Sequence, residues 1–257
     1  MKLHFLGTFA GTEPMLDRKH ASVAVECDKK LYWFDAGEGC SYTGHNMGLD
    51  LLDVKNIIIS HTHMDHIGGL GNLLWNIRKL TQMRSELPHF DGVDVFIPNE
   101  DSKDGLLKLL SHTEENFCCD YENRFYGVQD GVLLDDGKVK VTAYHNTHLV
   151  RWETDKPLSY SYRIEAEGKS VVYSGDVGLY TDLDPVIGDG CDALLIETGH
   201  FGIDIAYDYI KDKNVKRVFF THNGREIIND REGSLAKVAR LFEGRGTICE
   251  DTLTVEL

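Results

Sequence analysis

The chain contains no run of about 18 apolar residues, so no segment is expected to cross a membrane as a helix. Proline is scarce, five in 257 residues, and no Pro/Ser-rich or low-complexity stretch marks a linker. The six cysteines form no C-x-x-C pair; Cys118 and Cys119 are adjacent and the rest are scattered. That pattern reads as reduced thiols rather than a disulfide framework or a thiolate metal site. Positive charge is also short. Lys and Arg number 27 against 42 Asp and Glu, a formal net charge of −15. Such a surface repels long polyanions, so long nucleic acid is disfavoured as a partner. A local positive site, such as bound metal ions, could still draw a small anionic substrate. The opening MKLHFLGTFAGTEP carries one lysine and breaks at glycines. It reads as a first strand rather than a signal peptide, which makes the cytoplasm the expected location.

What is present is a foldable core. Hydrophobic residues make up 42% of the chain, too many for disorder, and the length suits one large domain spanning 1–257. Strand-type runs alternate with turns in KLHFLG, ASVAVEC and LYWFDAG, then VKNIIIS. GLGNLLWNIRKL places Leu70, Leu73, Leu74, Ile77 and Leu80 at helical spacing. Residues 81–131 are less regular and are expected to form a lid or insert, with TEENFCCDYEN as a solvated acidic face. Strands return in KVKVTAYH, SYSYRIEAEG, KSVVYSGD, DALLIE, VKRVFFTH and TLTVEL. DIAYDYIKDK and GSLAKVARLFE supply amphipathic helices between them. Two successive sets of strands and helices predict an α/β fold of two sheets packed face to face, with helices outside.

The chemistry concentrates in SHTHMDHIGGL. His61, His63, Asp65 and His66 fall within six positions, directly after a buried strand. Imidazole nitrogen and carboxylate oxygen suit zinc and similar divalent ions. Four such groups from one loop, with others arriving from elsewhere, exceed what one tetrahedral ion needs, so two adjacent ions are expected. Further donors stand at strand ends: His148 with His145 as its competitor, Asp176 after VVYSGD, and His222 after RVFFTH.

FLGT, FDAGEG, SHTHMDHIGGL, SYSYRIEAEGKSVVYSGD and VFFTH occur in an order that resembles the metallo-β-lactamase superfamily. The resemblance is greatest to its ribonuclease Z-like and phosphodiesterase branch, and it runs from Leu6 to His222. It implies an αβ/βα four-layer sandwich of two mixed β-sheets with flanking helices. It also implies that His61, His63 and His148 hold one metal, Asp65, His66 and His222 the other, and Asp176 bridges them. Asp35 would order the histidine loop from behind. Relatives in that branch often dimerise, so a homodimer is admitted. One departure stands out: the branch carries His-Glu-Ala-Thr where this chain has Ile196 and Glu197 in LLIETGHF. His200 either takes the missing place near the site or caps the next helix.

The resulting expectation is a metal-dependent hydrolase of a small phosphodiester, using hydroxide held by two divalent ions. Zinc leads, with manganese, iron and nickel compatible with the donors. Asp65 and His200 are the candidate catalytic groups. A thioester, lactone or β-lactam hydrolase is the alternative, and a non-catalytic metal-binding module ranks last.

Overall fold

A computed structural model describes residues 1–84, 90–151 and 156–257. Six strands come first: β1 (Lys2–Gly7), β2 (Ser22–Cys27), β3 (Lys30–Phe34), β4 (Val54–Ile58), β5 (Gly92–Phe96) and β6 (Glu122–Tyr126). Next are β7 (Gly131–Asp135), β8 (Val139–His145) and a short pair, β9 (Val150–Arg151) with β10 (Lys156–Pro157). The chain ends with β11 (Tyr160–Ala166), β12 (Lys169–Tyr173), β13 (Cys191–Glu197), β14 (Val215–Thr221), β15 (Gly246–Ile248) and β16 (Thr254–Glu256).

Two seven-stranded sheets result, ordered β16-β1-β2-β3-β4-β5-β6 and β15-β14-β13-β12-β11-β8-β7. Each is antiparallel in one part and parallel in the other: β3 to β6 run parallel in the first sheet, β12 to β15 in the second. Parallel strands need crossovers, and helices supply them. On the first sheet these include α1 (Cys40–Asn46), α2 (Met64–Ile67), α3 (Leu70–Met83) and α4 (Glu100–Leu110). On the second they are α5 (Asp184–Ile187), α6 (Ile203–Ile210), α7 (Arg225–Asn229) and α8 (Arg231–Phe242).

Alternation along the strands builds the layers. Phe5, Val25, Phe34, Tyr162, Tyr173, Leu195 and Phe219 meet between the sheets. Their neighbours turn outward: Trp33, Ile57 and Ile59 bury against Leu70, Leu74 and Ile77 of α3, while Ile196 and Phe220 bury against Ile203 and Phe242. The fold is therefore the expected four-layer sandwich. Deleting a ring such as Phe219 from the central layer would cost about 3–5 kcal/mol.

Two features differ from the simple reading of two successive sets. The last strand, β16, returns to the first sheet and pairs antiparallel with β1, because β1 would otherwise present an open edge. The acidic stretch is only partly a solvated face. Glu115, Asn116 and Phe117 are left-handed, and this turn lays Phe117 and Cys119 against the outer core of the first sheet. Within 81–131 the described residues supply β5, α4 and β6, so much of that segment completes the first sheet.

Candidate metal centre

The site forms at one edge of the sandwich, where strand ends from both sheets meet. β4 runs straight into Ile59 and Ser60 and delivers His61 as a fully buried side chain. The loop then turns into α2, whose first turn holds Asp65 and His66. From the second sheet, β8 leads to His148, β12 to Asp176 and β14 to His222. Gly175 is left-handed at φ 55, and a Cβ there would stand 2.7 Å from that of Ser60, so only glycine lets Asp176 come this close. His222 also lies at positive φ, 48°, strain that turns its ring inward as β14 ends.

Two donor groups result, sharing Asp176. His61, His63, His148 and Asp176 form one; Asp65, His66, Asp176 and His222 form the other, and in each the donor atoms lie within 4.8 Å of one another. His61 Nε2 stands 3.0 Å from His63 Nδ1, and His148 Nε2 stands 3.3 Å from the same atom. His66 Nε2 lies 3.3 Å from Asp176 Oδ1 and 3.4 Å from Asp65 Oδ2. Donors placed about 2.1 Å from a common tetrahedral centre would be roughly 3.4 Å apart, so these spacings fit a divalent ion. Two atoms strengthen the fit: His66 Nε2 and Asp176 Oδ1 are buried and have no hydrogen-bond partner. Buried polar atoms rarely go unpaired, and each of these would be satisfied by a cation.

The electrostatics agree. Burial works to raise the Asp65 pKa, but hydrogen bonds with His222 and His66 hold it well below the ordinary carboxylate range. Burial would likewise lower the His222 pKa, yet the Asp176 charge and the contacts with Asp65 and Glu197 outweigh it and lift it to about 9. His66 is raised too: the charges of Asp176 and Asp35 overcome its burial. Without ions, the carboxylates draw protons onto the imidazoles, so positive charge collects where cations would sit.

One wall of this centre is tightly bonded. Asp35 is fully buried and left-handed, and its carboxylate accepts from Ser60 N at 2.6 Å, Ser60 Oγ at 2.7 Å and Tyr173 Oη at 2.7 Å. It also faces His66 Nδ1 at 2.7 Å, which leaves His66 Nε2 for a metal. Tyr173 and Ser60 were not singled out in the sequence; their partner lies far along the chain. Asn146 was missed as well. Its buried side chain donates to Ser161 Oγ at 3.1 Å, and its Oδ1 accepts from Ser159 Oγ at 2.6 Å and His148 N at 3.1 Å. This turn separates the two histidines of HNTH. His148 enters the donor group, while His145 is exposed and bonded to Asp130 at 2.6 Å. An Asn two residues before a strand-end His is the readable signal for such a turn.

The other wall is open. His200 lies in the loop before α6, with 43% of its side chain exposed. Its Nδ1 is 3.0 Å from Glu197 Oε1 and 3.9 Å from Asp176 Oδ2. The cap of α6 is Gly202, so of the two expected alternatives His200 takes the place beside the site.

A sequence profile of the family described as "Anti-Pycsar protein Apyc1" matches residues 1–196. The chain belongs to that family. The Apyc1-family chain is also 24% identical to a ribonuclease Z of Archaeoglobus fulgidus, over 100% of this chain and 97% of that protein. Its fold is similar to that of YhfI from Bacillus subtilis, described as a metallo-β-lactamase fold protein, with a TM-score of 0.75 at 18% identity. It is also similar to human tRNase Z, short form, with a TM-score of 0.72 at 21% identity; each alignment covers 100% of this chain and 99% of the other. The metallo-β-lactamase fold and the ribonuclease Z-like phosphodiesterase branch, both read from the motifs, are borne out. No helix among the described residues is long and apolar enough to cross a membrane.

Proposed function

We propose that this chain hydrolyses a small anionic phosphodiester, such as a cyclic nucleotide or a short nucleotide fragment, at a centre built for two divalent ions. The observation that carries this reading is the convergence of His61, His63, Asp65, His66, His148, Asp176 and His222 into two donor groups joined at Asp176. When bound, the ions, zinc foremost and manganese, iron or nickel compatible with the donors, would act as Lewis acids that neutralise phosphoryl charge and make water a stronger acid. The archaeal relative's name, ribonuclease Z, supports a phosphodiester as the bond attacked. The net charge of −15 favours a small substrate over a long polyanion.

The chain's own residues divide the remaining work. Asp65, beside His66 and His222, orients the attacking water through its carboxylate. His200 protonates the departing alcohol. Its Nδ1 is engaged by Glu197, fully buried beneath it, and its Nε2 is left to donate. The hydrogen bond to Glu197 also raises the His200 pKa, which favours the proton-bearing form.

The test is turnover of bis-p-nitrophenyl phosphate and a panel of cyclic nucleotides by metal-loaded protein, beside a lactone and a thioester. Phosphodiester cleavage that disappears in His61→Ala and Asp176→Asn is expected. Cleavage of the lactone or thioester with every phosphodiester intact would overturn the proposal.

A further inference from the structure

Beside the two donor groups lies a third. Asp176, Glu197, His200 and His222 also bring one donor atom each within 4.8 Å of the others. His222 makes this possible because its two nitrogens face different partners. Nε2 stands 3.0 Å from Asp65 Oδ2, whereas Nδ1 stands 3.3 Å from Asp176 Oδ1 and 3.9 Å from Glu197 Oε2. Nδ1 and Asp176 Oδ1 are two of the buried atoms without a hydrogen-bond partner, and they face one another across this group. His200 closes it, with Nδ1 3.0 Å from Glu197 Oε1 and 3.9 Å from Asp176 Oδ2.

We propose that this group is a further cation site, which takes a divalent transition ion in excess of the pair and thereby inhibits the enzyme. Two imidazoles and two carboxylates form a donor set of the zinc class. Its occupancy differs from that of the pair for a structural reason. Glu197, fully buried, is already satisfied by Val177 N at 3.3 Å, His200 N at 2.9 Å and the His200 ring, so an ion must displace that ring contact. The pair keeps one buried donor, His66 Nε2, that the third group does not share and that has no hydrogen bond to give up, although its other donors also exchange 3.0 Å contacts. The third site therefore fills last. Access is through His200, the exposed member of the group. The inhibitory effect rests on the function proposed above, because an ion on His200 Nδ1 replaces the imidazolium form and leaves Nε2–H too weak an acid to protonate the leaving alcohol.

Equilibrium dialysis of the holoprotein against increasing free zinc, with elemental analysis and phosphodiester turnover in parallel, tests the site. The wild type should bind a third equivalent after two, and turnover should fall over the same zinc range. His200→Ala and His200→Gln should keep two equivalents and lose the third, with thermal melting confirming that both variants fold. A zinc isotherm that saturates at two equivalents, or a third equivalent that persists in both variants, would overturn the site. The ion count needs no substrate. Absence of phosphodiester turnover with the third equivalent present would therefore contradict the functional reading and leave the site standing.

Discussion

The two walls of the candidate centre are built in opposite ways. On the Asp35 side, one buried carboxylate meets Ser60, Tyr173 and His66 in four contacts of 2.6–2.7 Å. On the His200 side, the imidazole is 43% exposed and rests on a single buried glutamate. The first wall has its rotamers fixed before any ion arrives, which suits holding metal. The second has room for a ligand and a proton-carrying group at its rim, which suits substrate turnover. Metal affinity and catalytic rate should therefore separate by wall.

Asp176 belongs to both walls, and changing it should do the most harm. Asp176→Asn should cut phosphodiester turnover by on the order of a thousandfold, the scale of losing a charge-stabilising group, and should lower bound metal as well. His200→Ala sharpens the contrast: turnover should fall about a hundredfold while the metal pair stays bound. That loss should shrink for p-nitrophenolate, a leaving group that needs little protonation, compared with a cyclic nucleotide. Asp35→Asn breaks the other wall, and zinc affinity should drop about 10- to 100-fold, measured by dialysis. Stripping the ions from the wild type with a chelator should lower stability by about 3 kcal/mol for each ion if free metal had stood near a hundred times its Kd, read as a fall in Tm. The smallest effect is expected at Asn146. Asn146→Ala should cost about 1–3 kcal/mol of stability through the bonds lost to Ser159, Ser161 and the His148 amide, with a modest loss of metal through His148.

How much of this was legible in the sequence follows the distance between partners. The His61–His66 loop is a local pattern after a buried strand, and it was readable from residue types alone. The strand-end donors Asp176 and His222 were readable once two sheets were expected to share an edge. His148 could not be separated from His145 by pattern, because one ends β8 and the other follows it closely; the turn made by Asn146 brings only His148 beside the other donors. Tyr173 stayed hidden because its partner Asp35 lies 138 residues away. Trp75 of α3 is half-buried, and its indole donates to Glu114 at 2.9 Å, a partner 39 residues away. It lines an apolar hollow of about 760 Å³ with Met64 and Leu106. The stretch 113–123 is only in part the acidic face it reads as, because its packing also depends on Arg78, a guanidinium buried under it and bonded to Cys118 O at 2.7 Å.

The most direct test is anomalous diffraction from crystals grown with zinc. Two peaks about 3.5–4 Å apart should stand on either side of Asp176, one among His61, His63 and His148, the other among Asp65, His66 and His222. Zinc-loaded crystals with no peak within bonding distance of Asp176 would contradict the account.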